Sequence, residues 1–246
     1  MRLGHLVATL ALLAGLGLTA YVAQHQAGYR DPVLATTVQV PPPVVEVPPA
    51  RSGGDSRTRA SVAPVDEHWV EDTAARAGIP VPAMRAYARA TRQVPESCHL
   101  GWTTLAGIGW LESHHGTIGG RSVSADGHPS PPILGPALDG HGRFAAIPAS
   151  AQSARWHGDA TWDHAVGPMQ FIPSTWSAWG ADGDGDGVAD PNDLDDAARA
   201  AARYLCASGS LASGAGWAAA VYSYNHEDVY VAGVFRAAET YAERTA

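Results

Sequence analysis

Hydrophobic residues recur at helical spacing through most of the C-terminal two-thirds of the chain, and turn-forming residues separate these stretches. Apolar positions three and four residues apart are typical of amphipathic helices. The pattern predicts helices at Glu67–Ala77, Pro82–Gln93, Leu100–His115, Asp193–Ala207, Gly216–Tyr224 and Tyr230–Glu243. Strand-like alternation is sparse. The sequence therefore predicts a mainly helical domain from about Asp66 to Ala246.

A long segment rich in glycine, proline and serine separates the third predicted helix from the fourth. It runs from Gly116 to about Trp162. Loops of this length in a compact domain are usually functional or disordered. We interpret this one as the wall of a substrate groove.

The N-terminal segment predicts export. Arg2 and His5 precede an apolar run from Leu6 to Ala23, whose length lies between that of a signal-peptide core and that of a minimal membrane span. Because a clear small-x-small cleavage motif is missing, residues 1–23 are predicted to be a signal anchor with Arg2 on the cytoplasmic side. A cleaved signal peptide is the alternative. In both cases the rest of the chain lies in the extracytoplasmic cell envelope, membrane-anchored or secreted.

Residues 24–65 are predicted to form a proline-rich linker. Prolines at positions 41–43, 48 and 49 precede a short Gly- and Ser-containing stretch, and no helical or strand period is sustained. Extended proline-rich chain spans about 3.1 Å per residue, so some forty residues could reach on the order of 100 Å. We interpret the segment as a spacer that holds the folded domain away from a membrane.

Composition argues against a nucleic-acid partner and is compatible with a carbohydrate partner. A length of 246 residues fits one domain with extensions or two small domains, and the net charge of -8 argues against nucleic-acid binding. Trp and Tyr number eight each against three Phe. Indole and phenol rings stack on sugars, which suits a carbohydrate cleft, although most aromatic residues are expected in the core.

Glu112 is the leading catalytic candidate. In a helix, Leu105, Ile108, Leu111 and His115 share one face, and Glu112 lies at its edge near the helix end. A carboxyl group held against apolar surface loses hydration in its charged form, which raises its pKa. A raised pKa keeps a Glu protonated near neutral pH, as a general acid requires. A surface Glu near a helix terminus is the alternative for this segment taken alone.

The segment DGDGDGVADPND, residues 182–193, fits an EF-hand-like calcium loop. Carboxylates this dense repel one another unless a hard cation neutralises them. The expected ligands, at loop positions 1, 3, 5, 7, 9 and 12, are Asp182, Asp184, Asp186, the Val188 carbonyl, Asp190 and Asp193. Asp193 stands where Glu is usual, and its shorter side chain weakens the expected bidentate contact. We expect a structural Ca²⁺ clamp and not a switch; a flexible acidic turn is the alternative.

Cys98 and Cys206 are the only cysteines. An even number in an exported chain predicts a disulfide, which would join the start of the Glu112 helix to the end of the helix after the acidic loop. Two buried thiols are the alternative. A zinc site is disfavoured because the eleven His are scattered.

Three short segments resemble, in order and approximate spacing, the lytic murein transglycosylases of the membrane-bound B type. These segments are GIGWLESHHG at 107–116, VGPMQFIPSTW at 166–176 and VYSYNHEDVYV at 221–231. The resemblance extends from about Leu100 to the C-terminus. It implies a mainly α, lysozyme-like (SLT-type) catalytic domain and cleavage of the β-1,4 bond between N-acetylmuramic acid (MurNAc) and N-acetylglucosamine (GlcNAc) in peptidoglycan. Some members of the family embed a calcium loop of this type in that domain.

The resemblance also implies the roles of individual residues. Glu112 would protonate the glycosidic oxygen and then, as carboxylate, accept the proton of the MurNAc C6 hydroxyl, which closes a 1,6-anhydro ring. The residues that match substrate-binding positions are Ser113, Met169, Gln170, Phe171, Tyr224 and Asn225. The expected partners are peptidoglycan glycan strands, and no organic cofactor is expected.

Two other functions remain open from the sequence. The first is a hydrolase similar to goose-type lysozyme, in which a second carboxylate activates water. The acidic candidates for that second group are Asp159, Asp163, Glu227 and Asp228. The other is a non-catalytic peptidoglycan-binding module. Anhydro product ends would distinguish the transglycosylase from the hydrolase, which leaves reducing ends.

Overall fold

The structure is a computed structural model that describes residues 38–50, 64–141 and 145–246. The helices in this part of the chain are α1 (Glu67–Ala77), α2 (Val81–Arg92), α3 (Trp102–Ser113), α4 (Ala154–His157), α5 (Pro173–Trp179), α6 (Leu194–Cys206), α7 (Gly214–Tyr224) and α8 (Asp228–Thr245). The strands are β1 (Ser122–Val123), β2 (Pro129–Ser130), β3 (Leu134–Ala137) and β4 (His164–Val166). The mainly helical prediction is confirmed. All six predicted helices are present, with ends within two residues of their predicted positions.

Local sequence signals fix several helix ends. The Asp66 side chain accepts hydrogen bonds from the backbone N–H groups of His68 and Trp69, which caps the N-terminus of α1. Gly78 ends the same helix in the left-handed conformation, at φ 74°. In the same way, Asp193 caps α6. These polar and glycine signals explain why helix ends are readable from the sequence.

Helix α3 lies at the centre of the domain, packed against α8 and α2. The close approach of α3 to α8 requires glycine at position 107, because a Cβ there would lie 2.8 Å from the Val234 carbonyl oxygen. The predicted one-sided apolar face of α3 is wrong, because the helix is buried on nearly every side and only Trp110, 38% exposed, stands clearly out. Glu112 is therefore inside the core and not at the edge of an apolar face.

Residues 38–50 pack on the helical domain. Val47 is buried in the main core, and its carbonyl oxygen accepts a hydrogen bond from Arg92 at 3.1 Å. Earlier in the same segment, the Pro43 carbonyl accepts a hydrogen bond from the Thr103 hydroxyl, at the start of α3, at 3.4 Å. The spacer prediction is wrong for this segment, because Val38, Val45 and Val47 pack in or against the main core, while Val40 and Val44 stay exposed. Most of the remaining predicted linker lies outside the described residues.

The predicted groove-wall loop is an ordered lobe of short strands. Strands β1 and β2 form one antiparallel pair, and β3 and β4 form another. Leu138, Ala165 and Ile172 form a small separate core beneath them. The sequence does not reveal these strands, because each has only two to four residues.

Cys98 and Cys206 form a disulfide, as predicted, with their Cα atoms 5.4 Å apart. The bond connects the segment before α3 to the last residue of α6. Among the described residues, no helix has the length and apolarity needed to cross a bilayer. The apolar run Leu6–Ala23 lies outside the described residues.

Candidate active site

Glu112 is a buried carboxyl group with one polar partner. Its side chain is in the last turn of α3 and the residue is 6% exposed. The hydroxyl of Tyr230, in the first turn of α8, donates a hydrogen bond to Glu112 Oε1 at 2.6 Å. Burial raises the pKa of Glu112 to about 8, and the hydrogen bond from Tyr230 opposes that rise. The group is therefore protonated at neutral pH and able to donate a proton.

No feature of the sequence singles out Tyr230. The residue lies six positions after Tyr224, within the segment VYSYNHEDVYV. The sequence therefore indicates the segment but not that Tyr230 bonds to Glu112. Which tyrosine reaches Glu112 depends on the angle at which α8 crosses α3. That angle is set by packing between helices and leaves no signal in the spacing.

Tyr224 joins the Glu112 site to the turn at residues 169–171. Its ring lies parallel to that of Tyr230, at an interplanar angle of 3° and a centroid distance of 6.5 Å. Its hydroxyl donates to the Met169 carbonyl at 2.7 Å. Burial raises the pKa of both phenols well above the usual value, and the nearby Glu112 contributes in the same direction. Both tyrosines are therefore neutral hydrogen-bond donors.

The Met169–Gln170–Phe171 turn supports the site from within the core. Met169 and Phe171 are buried, so neither side chain is available to a sugar. Gln170 is half-buried in the left-handed conformation, at φ 50°, and its Nε2 donates to the Gly167 carbonyl at 2.8 Å. Of the three matched positions, Gln170 alone keeps side-chain surface for a ligand.

Ser113 does not face a ligand, which corrects its predicted role as a substrate-binding residue. The residue is fully buried, its hydroxyl donates to the Pro168 carbonyl at 2.6 Å, and it accepts the Gly116 N–H at 2.8 Å. Its place immediately after Glu112 on a helix turns it toward the 167–171 turn. Ser113 thus ties that turn to the end of α3.

Asn225 combines deep burial with unused hydrogen-bonding capacity. It is 3% exposed, and its Oδ1 atom has no hydrogen-bond partner within the described residues. Buried polar atoms normally have partners, because leaving one unpaired costs free energy. Asn225 follows Tyr224 directly, at the end of α7.

The acidic residues considered as a second catalytic group are engaged elsewhere or lie on the surface. Asp163 is buried and accepts from Ser153 at 2.5 Å, with His157 at 3.2 Å. Asp159 bonds the backbone of the 159–162 turn and His164, and these bonds lower its pKa to about 2. Glu227 and Asp228 lie at the solvent-accessible start of α8. The pKa of Glu112 is set by burial and Tyr230, with no contribution from another carboxylate.

The acidic loop brings together a different set of carboxylates from the one predicted. Within the described residues, oxygens of Asp182, Asp184 and Asp196 lie within 4.8 Å of one another. Asp193 is instead the N-cap of α6 and accepts the N–H groups of Asp195 and Asp196. Asp193 thus caps α6, and Asp196, three residues farther along, is the residue whose carboxylate lies beside those of Asp182 and Asp184.

The other predicted ligands stabilise the loop itself. Asp186 Oδ1 accepts the Val188 N–H at 2.7 Å, and Asp190 Oδ1 accepts the Asn192 N–H at 2.9 Å. Asp196 in turn accepts the N–H groups of Gly183 and Asp190. The loop thus folds back on the first turn of α6. Three carboxylates that converge in this way are a donor set suited to a hard divalent cation.

Comparison with known proteins finds a family match over part of the chain. The model of the family described as "Transglycosylase SLT domain" matches residues 147–232, a range that contains Gln170, the acidic loop, Tyr224 and Tyr230. A solved structure, the Escherichia coli lytic transglycosylase SLT35 in complex with bulgecin A, is similar with 14% identity and a TM-score of 0.47, covering 72% of this chain and 74% of that one. No curated protein matches. Residues 147–232 of this chain therefore match the transglycosylase SLT domain family.

Proposed function

We propose that this protein cleaves the MurNAc-β-1,4-GlcNAc bond of peptidoglycan with Glu112 as the single acid/base and leaves 1,6-anhydro-MurNAc ends. The observation that carries the proposal is the burial of Glu112 with one donor, Tyr230, and a pKa of about 8. A protonated carboxyl in a dry site is suited to donate to a leaving oxygen. A water-activating second carboxylate would be needed for hydrolysis.

The reaction divides into two proton transfers at one carboxyl group. Glu112 gives its proton to the glycosidic oxygen as the C1–O bond breaks, and GlcNAc leaves as an alcohol. The MurNAc C6 hydroxyl then bonds to C1, and its proton goes to the Glu112 carboxylate. The enzyme is restored and no water is consumed. The Tyr230 hydroxyl stabilises the carboxylate between the two steps, because a hydrogen bond to a charged acceptor is stronger than one to a neutral acceptor.

Gln170 and Asn225 supply the polar contacts to the sugar. Gln170 is only half-buried, and Asn225 holds an unpaired Oδ1 that a substrate N–H or O–H would satisfy. A site with unpaired buried polar atoms discriminates strongly for a ligand that pairs them. The sugar N-acetyl and hydroxyl groups have that chemistry.

The products test the proposal directly. Purified peptidoglycan is digested by the full-length protein in detergent, and the muropeptides are analysed by mass spectrometry. The expected products are one water lighter than hydrolysis products. Reducing ends would show a hydrolase instead. A folded protein that releases no fragments would favour a binding module.

Replacing Tyr230 by Phe should lower kcat and shift its pH dependence. Because Glu112 must start protonated, wild-type activity is expected to fall as pH rises through about 8. Loss of the Tyr230 hydrogen bond raises the pKa of Glu112. The alkaline limb of the kcat–pH profile, where activity falls, should therefore move to higher pH. A charged-group hydrogen bond contributes roughly 1.5–3 kcal/mol, which predicts a loss of about 10–100-fold in kcat.

Tyr222→Phe is the matched control for this measurement, because Tyr222 is 41% exposed and lies on α7. It should leave both kcat and the pH limb unchanged. An alkaline limb that stays in place or moves to lower pH in Tyr230→Phe would contradict the assigned hydrogen bond.

We further propose that the acidic loop holds a structural Ca²⁺ through Asp182, Asp184 and Asp196. Burial raises the pKa of Asp196 to about 7, and the neighbouring Asp193 and Asp184 add to the effect, so the negative charge is unfavourable without a cation. A bound cation would neutralise this charge and fasten the loop to α6. A fixed acidic loop would also support the 167–171 turn, because the Pro191 carbonyl of the acidic loop lies directly against Gly167. A Cβ added at Gly167 would clash with that carbonyl.

Asp196→Asn should abolish stabilisation by calcium. For the wild type, Ca²⁺ at about 100 times its Kd should raise the free energy of unfolding by roughly 2.7 kcal/mol, and EDTA should reverse this. Asp193→Asn is the control, since Asn caps helices about as well as Asp and Asp193 is not in the converging carboxylate group. Thermal unfolding with Ca²⁺ and with EDTA measures both. A calcium response kept by Asp196→Asn and lost in Asp193→Asn would restore the original ligand assignment.

The enzyme acts outside the cytoplasm, where peptidoglycan lies. We propose that Leu6–Ala23 directs its export and either remains as a membrane anchor or is removed.

A further inference from the structure

We propose that His115 is a positioning residue that holds Tyr230 in hydrogen-bonding reach of Glu112. The inference rests on the proposed catalytic role of Glu112. His115 is 2% exposed, three positions after Glu112, and outside the matched SLT range. It would act through the packing of helices α2, α3 and α8 and would not touch the substrate.

Both ring nitrogens of His115 are engaged, and each faces a different helix. Nδ1 lies 3.1 Å from the hydroxyl of Tyr87 on α2, and Nε2 lies 2.8 Å from the hydroxyl of Tyr241 on α8. Burial lowers the pKa of His115 to about 3, so the imidazole is neutral, with one donor and one acceptor nitrogen. One tyrosine must therefore donate to the ring and the other must accept from it. This arrangement specifies the relative position of three helices.

Tyr241 and Tyr230 lie on the same face of α8. They are eleven residues apart, which is close to three helical turns. Their hydroxyls contact His115 and Glu112, both at the C-terminal end of α3. A rotation of α8 that broke one contact would break the other. The His115–Tyr241 hydrogen bond therefore fixes the orientation that brings Tyr230 to Glu112.

The backbone after Glu112 is also held in a sparsely populated conformation. His114, His115 and Gly116 have φ values of 51°, 59° and 88°. The His115 N–H donates to the Gly109 carbonyl at 2.9 Å, which ends α3 directly after its catalytic turn. Left-handed non-glycine residues persist only where their surroundings hold them. The two tyrosine contacts of the His115 ring provide that hold.

Tyr87 fixes the other side of α3. Its hydroxyl occupies the space where a Cβ at Gly109 would lie, so α2 reaches the α3 backbone only because that residue is glycine. The group that faces Glu112 is the Tyr230 hydroxyl, with the Tyr224 phenol close enough for Glu112 to affect its pKa. Those that face His115 are Tyr87, Tyr241 and His114. The site around α3 is thus a set of neutral hydroxyl groups ordered by one neutral imidazole.

The test compares full-length His115→Phe and His115→Gln with the wild type. Phe keeps the ring and removes both hydrogen bonds, whereas Gln can accept from one tyrosine and donate to the other. We expect His115→Phe to lower kcat by about tenfold or more with little change in KM, because small misplacements of catalytic groups reduce rates strongly. It should also move the alkaline limb upward, as Tyr230→Phe does. His115→Gln should restore most of both properties.

A double variant separates positioning from a merely structural role. If His115 acts through Tyr230, His115→Phe/Tyr230→Phe should be about as slow as Tyr230→Phe alone. His99→Phe is the matched control, because His99 is an exposed histidine with a left-handed φ of 57°, and it should be fully active. If His115→Phe does not fold, Tyr241→Phe removes one hydroxyl group and provides the same comparison.

Two results would overturn the positioning role. One is a lower melting temperature for His115→Phe with wild-type kcat and pH limb; the other is additive losses in the double variant. The parent proposal fails separately, if Glu112→Gln stays active. An inactive Glu112→Gln with a wild-type pH profile for His115→Phe would remove only the role of His115.

Discussion

Replacing Glu112 by Gln is expected to lower the release of anhydro-muropeptides by about 10²–10⁴-fold, the range that general acid–base catalysis contributes. Gln keeps the size of the side chain and can still accept the hydrogen bond from Tyr230, but it has no proton to donate. Both proton transfers in the proposed reaction are therefore lost together. The measurement is the initial rate of soluble muropeptide release from purified peptidoglycan.

Glu243→Gln controls for the chemical change, since Glu243 is an exposed residue of α8. It should match the wild type. Equal activity of Glu112→Gln and wild type would exclude Glu112 as the acid/base and return attention to the other acidic residues.

The same variant should be more stable than the wild type at alkaline pH. The pKa of Glu112 is about 8 in the folded protein against 4.5 ordinarily, so the folded state binds more protons between these values and stability falls as pH rises through that window. Gln carries no such penalty. The gain should be on the order of 5 kcal/mol above pH 8 and should nearly vanish below pH 4.5. Thermal unfolding at pH 4.5 and pH 8.5 measures it; a variant less stable at both would contradict the burial argument.

Removing the disulfide should cause the largest loss of stability. Cys98 and Cys206 close a loop across 108 positions. In the chain-entropy model a loop of that length contributes about 4–5 kcal/mol by restricting the unfolded chain. The double variant Cys98→Ala/Cys206→Ala should therefore have a much lower denaturant midpoint. It should also lose activity at a lower temperature, because the bond ties the beginning of α3 to α6.

Reduction provides the control for this prediction. A thiol reductant should bring the wild type close to the double variant and leave the double variant itself unchanged. A double variant as stable as the oxidised wild type would show that packing alone holds these two segments together.

Local patterns were sufficient for most of the helical domain. Apolar spacing located the six long helices, and residues such as Asp66 and Gly78 marked the ends of α1. The short strands were missed because two to four residues carry too little pattern. The packing of Val47 into the core was missed because its apolar partners lie far along the chain. Proline-rich sequence shows that a segment is extended. It does not show whether the segment is packed.

The chemistry of the site followed the same division. Glu112, Gln170, Tyr224, Asn225 and the acidic loop were found as residue types in a recognisable order. The sequence did not reveal the inward orientation of Ser113, the Tyr230 hydrogen bond, or the convergence of Asp196, rather than Asp193, with Asp182 and Asp184.

The sequence by itself thus determined the helices and the identity of the candidate acid, because each depends on residues close together in the chain. Only the tertiary structure decided which hydroxyl reaches Glu112, which carboxylates converge, and that His115 joins three helices. These contacts depend on how helices cross and on where a glycine lets them approach. Such distances are set by the packing of the whole domain, and no local spacing encodes them.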